Sequence, residues 1–303
     1  MTDPNKNQPS RKNEVEILVF GEVLYDCFPD GRRVLGGAPF NVAWGLRGFG
    51  HDPLMLSAVG ADADGIAVRA CMENWGMSTR GLQTNTEHGT GIVEVTVRDG
   101  EPSYEISAPR AWDFILDPGI ANAAMLYHGT LALRGERSRE TFEGLRAQSD
   151  APRFFDVNLR PPHTPISRVR DLLPGAAWVK MNLEELGEVL GEDGLTLEGS
   201  DAVVDAFLSE YHVGTLLLTA GSKGAKLRGA YGQAEVSPAP EPVEMVDTVG
   251  AGDAFSAVTL SGILRNASAR DILEKASAFA AKICGLRGAT SDDPAFYAPD
   301  GHG

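Results

Sequence analysis

The sequence predicts an α/β fold: a three-layer α/β/α sandwich around a mostly parallel central sheet. Two observations predict it. From residue 123 onward, strand-like and helix-like segments alternate, which argues for a parallel sheet with helices on both faces. One strictly alternating segment, 89–106, breaks that rhythm and reads as a β-hairpin set beside the main sheet.

Taken in order, the first strand is 16–20 (EILVF), running into Gly21-Glu22. A polar turn, Pro29-Asp30-Gly31, follows, and then the pair Gly36-Gly37. Residues 38–49 form a helix, because Val42, Ala43, Leu46 and Phe49 recur at helical spacing. PLMLSAV, ending at Gly60, is the second strand. A helix over 64–75 follows, with Asp64 as N-cap and Gly76 as C-cap. In the hairpin, GIVEVTV and SYEI alternate on either side of the turn Asp99-Gly100. The later strands are AAMLYHG, RFFDVNL, AAWVKMN and GTLLLTAG, with helices at 137–148, 166–173, 183–190 and 202–211. Another hairpin surrounds Gly229 to Gly232, and two long helices, 252–264 and 269–285, close the chain.

At 303 residues and 43% hydrophobic content, the chain can bury one large core. Its apolar runs, such as 123–126 and 216–218, are strand-sized and too short to span a membrane. Residues 1–13 (MTDPNKNQPSRKN) are polar without an apolar stretch, and read as a disordered tail rather than a signal peptide. Acidic residues outnumber basic ones, 42 to 27, for a net charge of −15. This lacks the basic footprint of a nucleic-acid binder. A phosphate-bearing ligand would need local positive potential from amides, a cation and a few Lys or Arg. Cys27, Cys71 and Cys284 have no metal-ligand spacing and read as free thiols in a reducing compartment.

The sharpest chemical signal is 247–258, DTVGAGDAFSAV. Gly250, Ala251 and Gly252 precede an apolar-periodic helix, so converging N–H groups and the helix dipole create a site for negative charge. Asp253, in the first turn, can accept a proton beside that charge. The plainer reading is a glycine turn with Asp as a cap. A second glycine pair, Gly36-Gly37, precedes the 38–49 helix. There Pro39 suits the first turn, and the donors and acceptor of Asn41 suit sugar hydroxyls.

Together and in this order, these segments resemble the two signatures of the ribokinase-like, or PfkB, carbohydrate kinase family, over about residues 16–292. The resemblance implies a kinase domain over 14–296, with 297–303 as a C-terminal tail. It assigns the hairpin near 89–107 as a β lid over the sugar, which in many relatives also forms the dimer contact. It implies Asp253 as the base and Gly250, Ala251 and Gly252 as the anion hole. Asp26, Gly36, Gly37, Asn41, Asn158 and Arg160 would bind sugar. Asn182, Thr219, Gly221, Ser222, Gly224 and Thr248 would bind ATP. In the N-x-x-E motif, Asn182 and Glu185 would organise Mg²⁺, Glu185 through water. Asp247, with Val249 and the loop 285–291, would place a monovalent cation such as K⁺. Val249 departs from the threonine that many members carry there.

The stretch from Gly36 to Asn41, with YEISAPRAWDF at 104–114, is most similar to the fructokinase branch. The implied protein is a cytoplasmic, ATP-dependent fructokinase acting as a homodimer, without nucleic-acid or membrane partners. A 2-keto-3-deoxygluconate kinase, with Arg160 or Arg110 pairing the substrate carboxylate, and a nucleoside kinase are the alternatives within the family. A non-catalytic sugar- or nucleotide-binding regulator is the alternative outside catalysis, opposed by the presence of Asp253, Asn182 and Glu185. A dinucleotide-dependent oxidoreductase would need a G-x-G-x-x-G after the first strand, which is missing.

Overall fold

The computed structural model describes residues 15–98, 101–119, 123–242 and 245–298. The tail 1–13 and the turn Asp99-Gly100 lie outside them. A nine-stranded sheet contains β1 (Val15–Phe20), β4 (Pro53–Gly60), β5 (Leu82–Asn85), β8 (Ala123–His128), β9 (Arg153–Asp156), β10 (Trp178–Asn182), β11 (Thr215–Thr219), β12 (Ala225–Gly229) and β13 (Gly232–Val236). Their spatial order is β13-β12-β11-β10-β9-β8-β1-β4-β5. The sheet is parallel from β5 through β11, and antiparallel only where β12 and β13 close one edge.

Residues alternate between the two faces along each strand. Leu18 and Phe20 of β1 pack with α3 (Glu136–Gln148), α4 (Ile166–Leu172), α5 (Leu183–Leu190) and α6 (Asp201–Glu210). Ile17 and Val19 face the opposite layer, formed by α1 (Ala38–Gly48), α2 (Ala63–Asn74), α7 (Ala251–Leu264) and α8 (Ala269–Ile283). All eight residues of β4 are buried, as expected of a parallel strand covered on both sides. The three-layer architecture is therefore observed, and the expected helices agree to within two residues at each end. Packing continues past residue 296: Tyr297 is 5% exposed and stacks among Phe49, Trp75, Phe279 and Phe296.

Two local expectations are corrected. The cap of α2 is Asp62, not Asp64. Asp62 has extended backbone and accepts from the Gly65 N–H at 2.8 Å, and also from Thr90. Asp64 sits inside the first turn, where it pairs with Arg33 at 2.6 and 2.7 Å. The appended hairpin, β6 (Gly91–Arg98) and β7 (Glu101–Ile106), belongs to a four-stranded sheet rather than standing alone. Its other strands are β2 (Leu24–Cys27) and β3 (Arg33–Gly36), in the order β3-β2-β6-β7. The turn at Pro29-Asp30-Gly31 is thus the bend between β2 and β3, closed by Gly31 N–H to Phe28 carbonyl at 3.0 Å.

Candidate active site

The site is assembled at the C-terminal ends of the parallel strands, where open α/β sheets leave room for ligands. Gly250 caps α7 with φ +82°, the left-handed region, and a Cβ there would collide with Ala289. This turn leads into the first turn of α7, which carries Asp253. Ala251 donates to the Thr248 carbonyl at 3.3 Å, fixing the approach to the helix.

Asp253 and Asn41, 212 residues apart in sequence, meet: Asn41 Nδ2 donates to Asp253 Oδ2 at 2.8 Å. Asn41 is 8% exposed and its Oδ1 has no protein partner among the described residues. Gly36 ends β3 between Asn41 and Asp26. A Cβ built on it would lie 3.6 Å from Asn41 Oδ1 and 3.9 Å from Asp26 Oδ2, so the absence of a side chain keeps this corner open. Gly37 caps α1 with φ +108°, and its Cα faces the Glu22 carbonyl, where a Cβ would stand 2.7 Å away. The small four-stranded sheet and the first motif thus converge on the turn that holds the expected base.

Electrostatically the corner is acidic. Asp253 keeps some solvent-accessible surface. Burial pushes its pKa up to about 6. The Asn41 hydrogen bond, Lys180 and Arg160 oppose that shift, and Asp156 adds to it. Burial likewise raises Asp26 to about 6, against the pull of Arg160. Glu22, 4% exposed, is raised to about 7, again mainly by burial, with Arg160 lowering it and Asp253 raising it. Arg160, in the loop after β9, is the cation these three carboxyls share. Asn158, in the same loop, has φ +39°, and its carbonyl accepts from Thr130 at 3.3 Å.

Asn182 and Thr219 are register partners on neighbouring strands, so these two expected nucleotide residues are brought together. Glu185 has a different first duty from the one expected. Its Oε2 accepts from Asn182 N–H and its Oε1 from Leu159 N–H, both at 2.8 Å, while Asn182 Oδ1 accepts from Glu185 N–H. This is a capping box that also ties α5 to the loop bearing Arg160. Gly221 and Ser222 lie in the one-turn 3₁₀ helix Gly221–Lys223 between β11 and antiparallel β12, and Gly224 caps it, its carbonyl accepting from Ala220 N–H at 2.8 Å. Asp247 accepts from Val249 N–H at 3.0 Å, and its own N–H donates to the Cys284 carbonyl. Among the described residues, no cluster of three or more His, Cys, Asp or Glu could hold a metal.

Sequence reasoning passed over Glu22, Tyr104, Asp156 and Lys180. Tyr104, 53% exposed on β7, has its phenol pKa raised, first by burial and then by the charges of Asp26 and Asp247, with Arg160 opposing. Asp156 and Lys180 were legible in principle, as charged residues at inward positions of the apolar strands RFFD and WVKMN.

Residues 15–295 match the pfkB family carbohydrate kinase profile. The chain belongs to that family. As a pfkB carbohydrate kinase it is a phosphotransferase with a sugar hydroxyl as acceptor. A fructokinase of Klebsiella pneumoniae is 30% identical over 297 residues, covering 91% of this chain and 94% of its own. A sugar kinase of Pyrococcus horikoshii solved in complex with ATP is 27% identical, with TM-score 0.75 and coverage of 90% of this chain and 93% of that one. A fructokinase of Xylella fastidiosa with bound ATP is 25% identical, with TM-score 0.77 and coverage of 92% and 94%. Among the described residues, no helix of this carbohydrate kinase is long and apolar enough to cross a membrane.

Proposed function

We propose that this kinase transfers the γ-phosphoryl group of ATP to a primary hydroxyl of fructose, with Asp253 as general base. The observation that carries the reading is the meeting of Asp253 with Asn41 at 2.8 Å, directly behind the Gly250–Gly252 amides and beside the Asp26 corner. The sugar hydroxyl gives its proton to Asp253. Its oxygen bonds to the γ-phosphorus as the bond from that phosphorus to the β–γ bridging oxygen breaks, and ADP leaves. The first-turn amides of α7 stabilise charge on the phosphoryl group in flight. Asp26, Gly37, Asn41, Asn158 and Arg160 orient the sugar, and closure of the β lid excludes water.

ATP lies along the strand ends from β11 toward β9. Those two strands are two ladder spacings, about 10 Å, apart, a span suited to a triphosphate. Thr219, Gly221, Ser222, Gly224, Asn182 and Thr248 line that path. Mg²⁺ entering as MgATP would neutralise phosphate charge, with Asn182 and Glu185 the residues that would hold it, Glu185 through water. The lack of a carboxylate cage among the described residues fits a metal held mainly by phosphates and waters. Each Glu185 oxygen, having accepted one N–H, keeps capacity for a metal-bound water.

A neutral ketose suits the corner better than a sugar acid, because Glu22, Asp26 and Asp253 outnumber Arg160. The fructokinase relatives support the same choice. The reading extends to a cytoplasmic homodimer joined through the lid sheet, and to a K⁺ site beside Asp247.

A coupled ADP-release assay with MgATP against fructose, ribose, glucose, tagatose, adenosine and 2-keto-3-deoxygluconate tests the substrate. Fructose is expected to have the highest kcat/KM, and preferred turnover of the keto acid would move the assignment to a sugar-acid kinase. Asp253→Asn should lower kcat by roughly 10²–10⁴-fold with sugar binding retained. Near-native kcat in that variant would remove Asp253 from the role of base.

A further inference from the structure

Beneath the proposed base lies an ion pair that the reaction, as described so far, does not use. Asp156 and Lys180 are direct register partners on adjacent parallel strands β9 and β10. Lys180 Nζ stands 2.9 and 3.1 Å from the two carboxylate oxygens of Asp156. Asp156 is fully buried and Lys180 is 7% exposed. Taking two charges out of water costs several kcal/mol per ion, and an apolar pair of similar volume is often as stable or more so. Stability alone is therefore a poor reason for this pair.

Its surroundings supply a better one. The pair points into the layer that contains α7, and Ser256, three residues beyond Asp253 on that helix, donates to Asp156 Oδ2 at 2.7 Å. Tyr127 of β8 donates to the same oxygen at 3.2 Å. On the other side, a Cβ at Gly252 would lie 3.3 Å from Lys180 Nζ, so the ammonium sits directly against the anion-hole turn.

We propose that Lys180 and Asp156 are a positioning pair for Asp253: they anchor the first turn of α7 to the sheet and set one buried charge of each sign beside the turn that carries the base. The inference rests on the reading of Asp253 as base.

The groups facing Asp253 come from every element packed on it. They are Asn41 of α1 by hydrogen bond, Glu22 after β1, Tyr127 of β8, Asp156 of β9, Arg160 in the loop after β9, and Lys180 of β10. Asp156 raises the affinity of Asp253 for its proton and Lys180 lowers it, so the intact pair leaves the base close to balance. Burial works against the Lys180 charge, but Asp156, Glu185 and Asp253 more than offset it and the ammonium is retained. Removing either partner exposes the other.

The test is the titration of Asp253 in Lys180→Met, Asp156→Asn and the double variant. It is read twice: by the acid limb of kcat against pH, and by carboxyl ¹³C NMR of the free protein, with the Asp253 signal assigned by its loss in Asp253→Asn. Lys180→Met is expected to raise the midpoint and Asp156→Asn to lower it, each by roughly one pH unit. The double variant should return toward the native midpoint with kcat still reduced and KM for sugar little changed. Shifts in the same direction, or none, would overturn the proposal.

Ser256→Ala keeps both charges and serves if the charge variants do not fold. It should lower kcat through the lost anchor while the midpoint stays in place, and an unchanged kcat would count against the anchoring role. If Asp253→Asn turns over at the native rate, the base reading fails, and the NMR midpoints still decide whether the pair controls that carboxyl.

Discussion

At the scale of single residues, the corner beneath the lid is defined by polar atoms that the protein leaves unsatisfied. Glu22 Oε2 and Asn41 Oδ1 are buried without a protein partner among the described residues, and buried polar groups in native proteins are almost always paired. Sugar hydroxyls can complete both. Glu22→Leu is accordingly expected to raise KM for sugar about tenfold, the cost of one lost hydrogen bond to a buried group, with KM for ATP nearly unchanged in the same assay. An unaltered sugar KM would exclude Glu22 from the pocket. Asp253 was legible in the sequence because GAGD precedes an apolar-periodic helix and fixes the carboxylate in its first turn. Glu22 was not, because a Gly-Glu dipeptide after a strand has no spacing that separates it from an ordinary surface carboxylate. Its significance comes from the Gly37 backbone folding against it.

At the scale of elements, the base of the lid is clamped by Arg134. Its guanidinium pairs with Asp113 at 2.8 Å, donates to the Ser107 carbonyl at the end of β7 at 2.7 Å, and stacks over Trp112 at 3.9 Å. Both charged side chains are less than a tenth exposed. Arg134→Met leaves the buried Asp113 carboxylate without its counter-ion, with only the Arg110 N–H at 2.8 Å, and should cost about 3–5 kcal/mol in urea unfolding. A loss under 1 kcal/mol would show that the clamp is dispensable. The helices and central strands were readable because their periodicity extends over whole turns or complete apolar runs. LYDC, RVLG and LQTN were not, since four residues are too few to display alternation. Two of them find partners far away in sequence, as in the pairing of Asp26 with Val93. Asp64 was mistaken for the α2 cap because Asp62 and Asp64 both stand at its start, and only the extended backbone of Asp62 separates them.

At the scale of the whole molecule, the site draws on stability. A free carboxyl titrates near pH 4, whereas Asp26 and Asp253 titrate at about 6 and Glu22 at about 7 in the fold. Between those limits the folded protein holds protons that the unfolded chain has released. Their contribution is complete below the unfolded value and is lost as pH rises through 6 to 7. Glu22→Gln and Asp253→Asn should therefore each raise Tm at pH 8, by roughly 2–4 °C for each kcal/mol recovered, and leave it nearly unchanged at pH 4. Calorimetry at the two pH values checks this, and equal shifts at both would refute the linkage. The lid has a separate consequence. Its strands β2 and β3 precede the α1-β4-α2-β5 unit, and β6 and β7 follow it, so the sheet is stitched from two stretches of chain that the core must first bring together. Its parallel seam between β2 and β6 closes a loop of 67 residues, from Asp26 to Val93. That loop is nested inside the longer one, 108 residues, that pairing Ile17 with Met125 closes in the main sheet, so once the core sheet has formed, much of the entropy of closing the smaller sheet has already been lost.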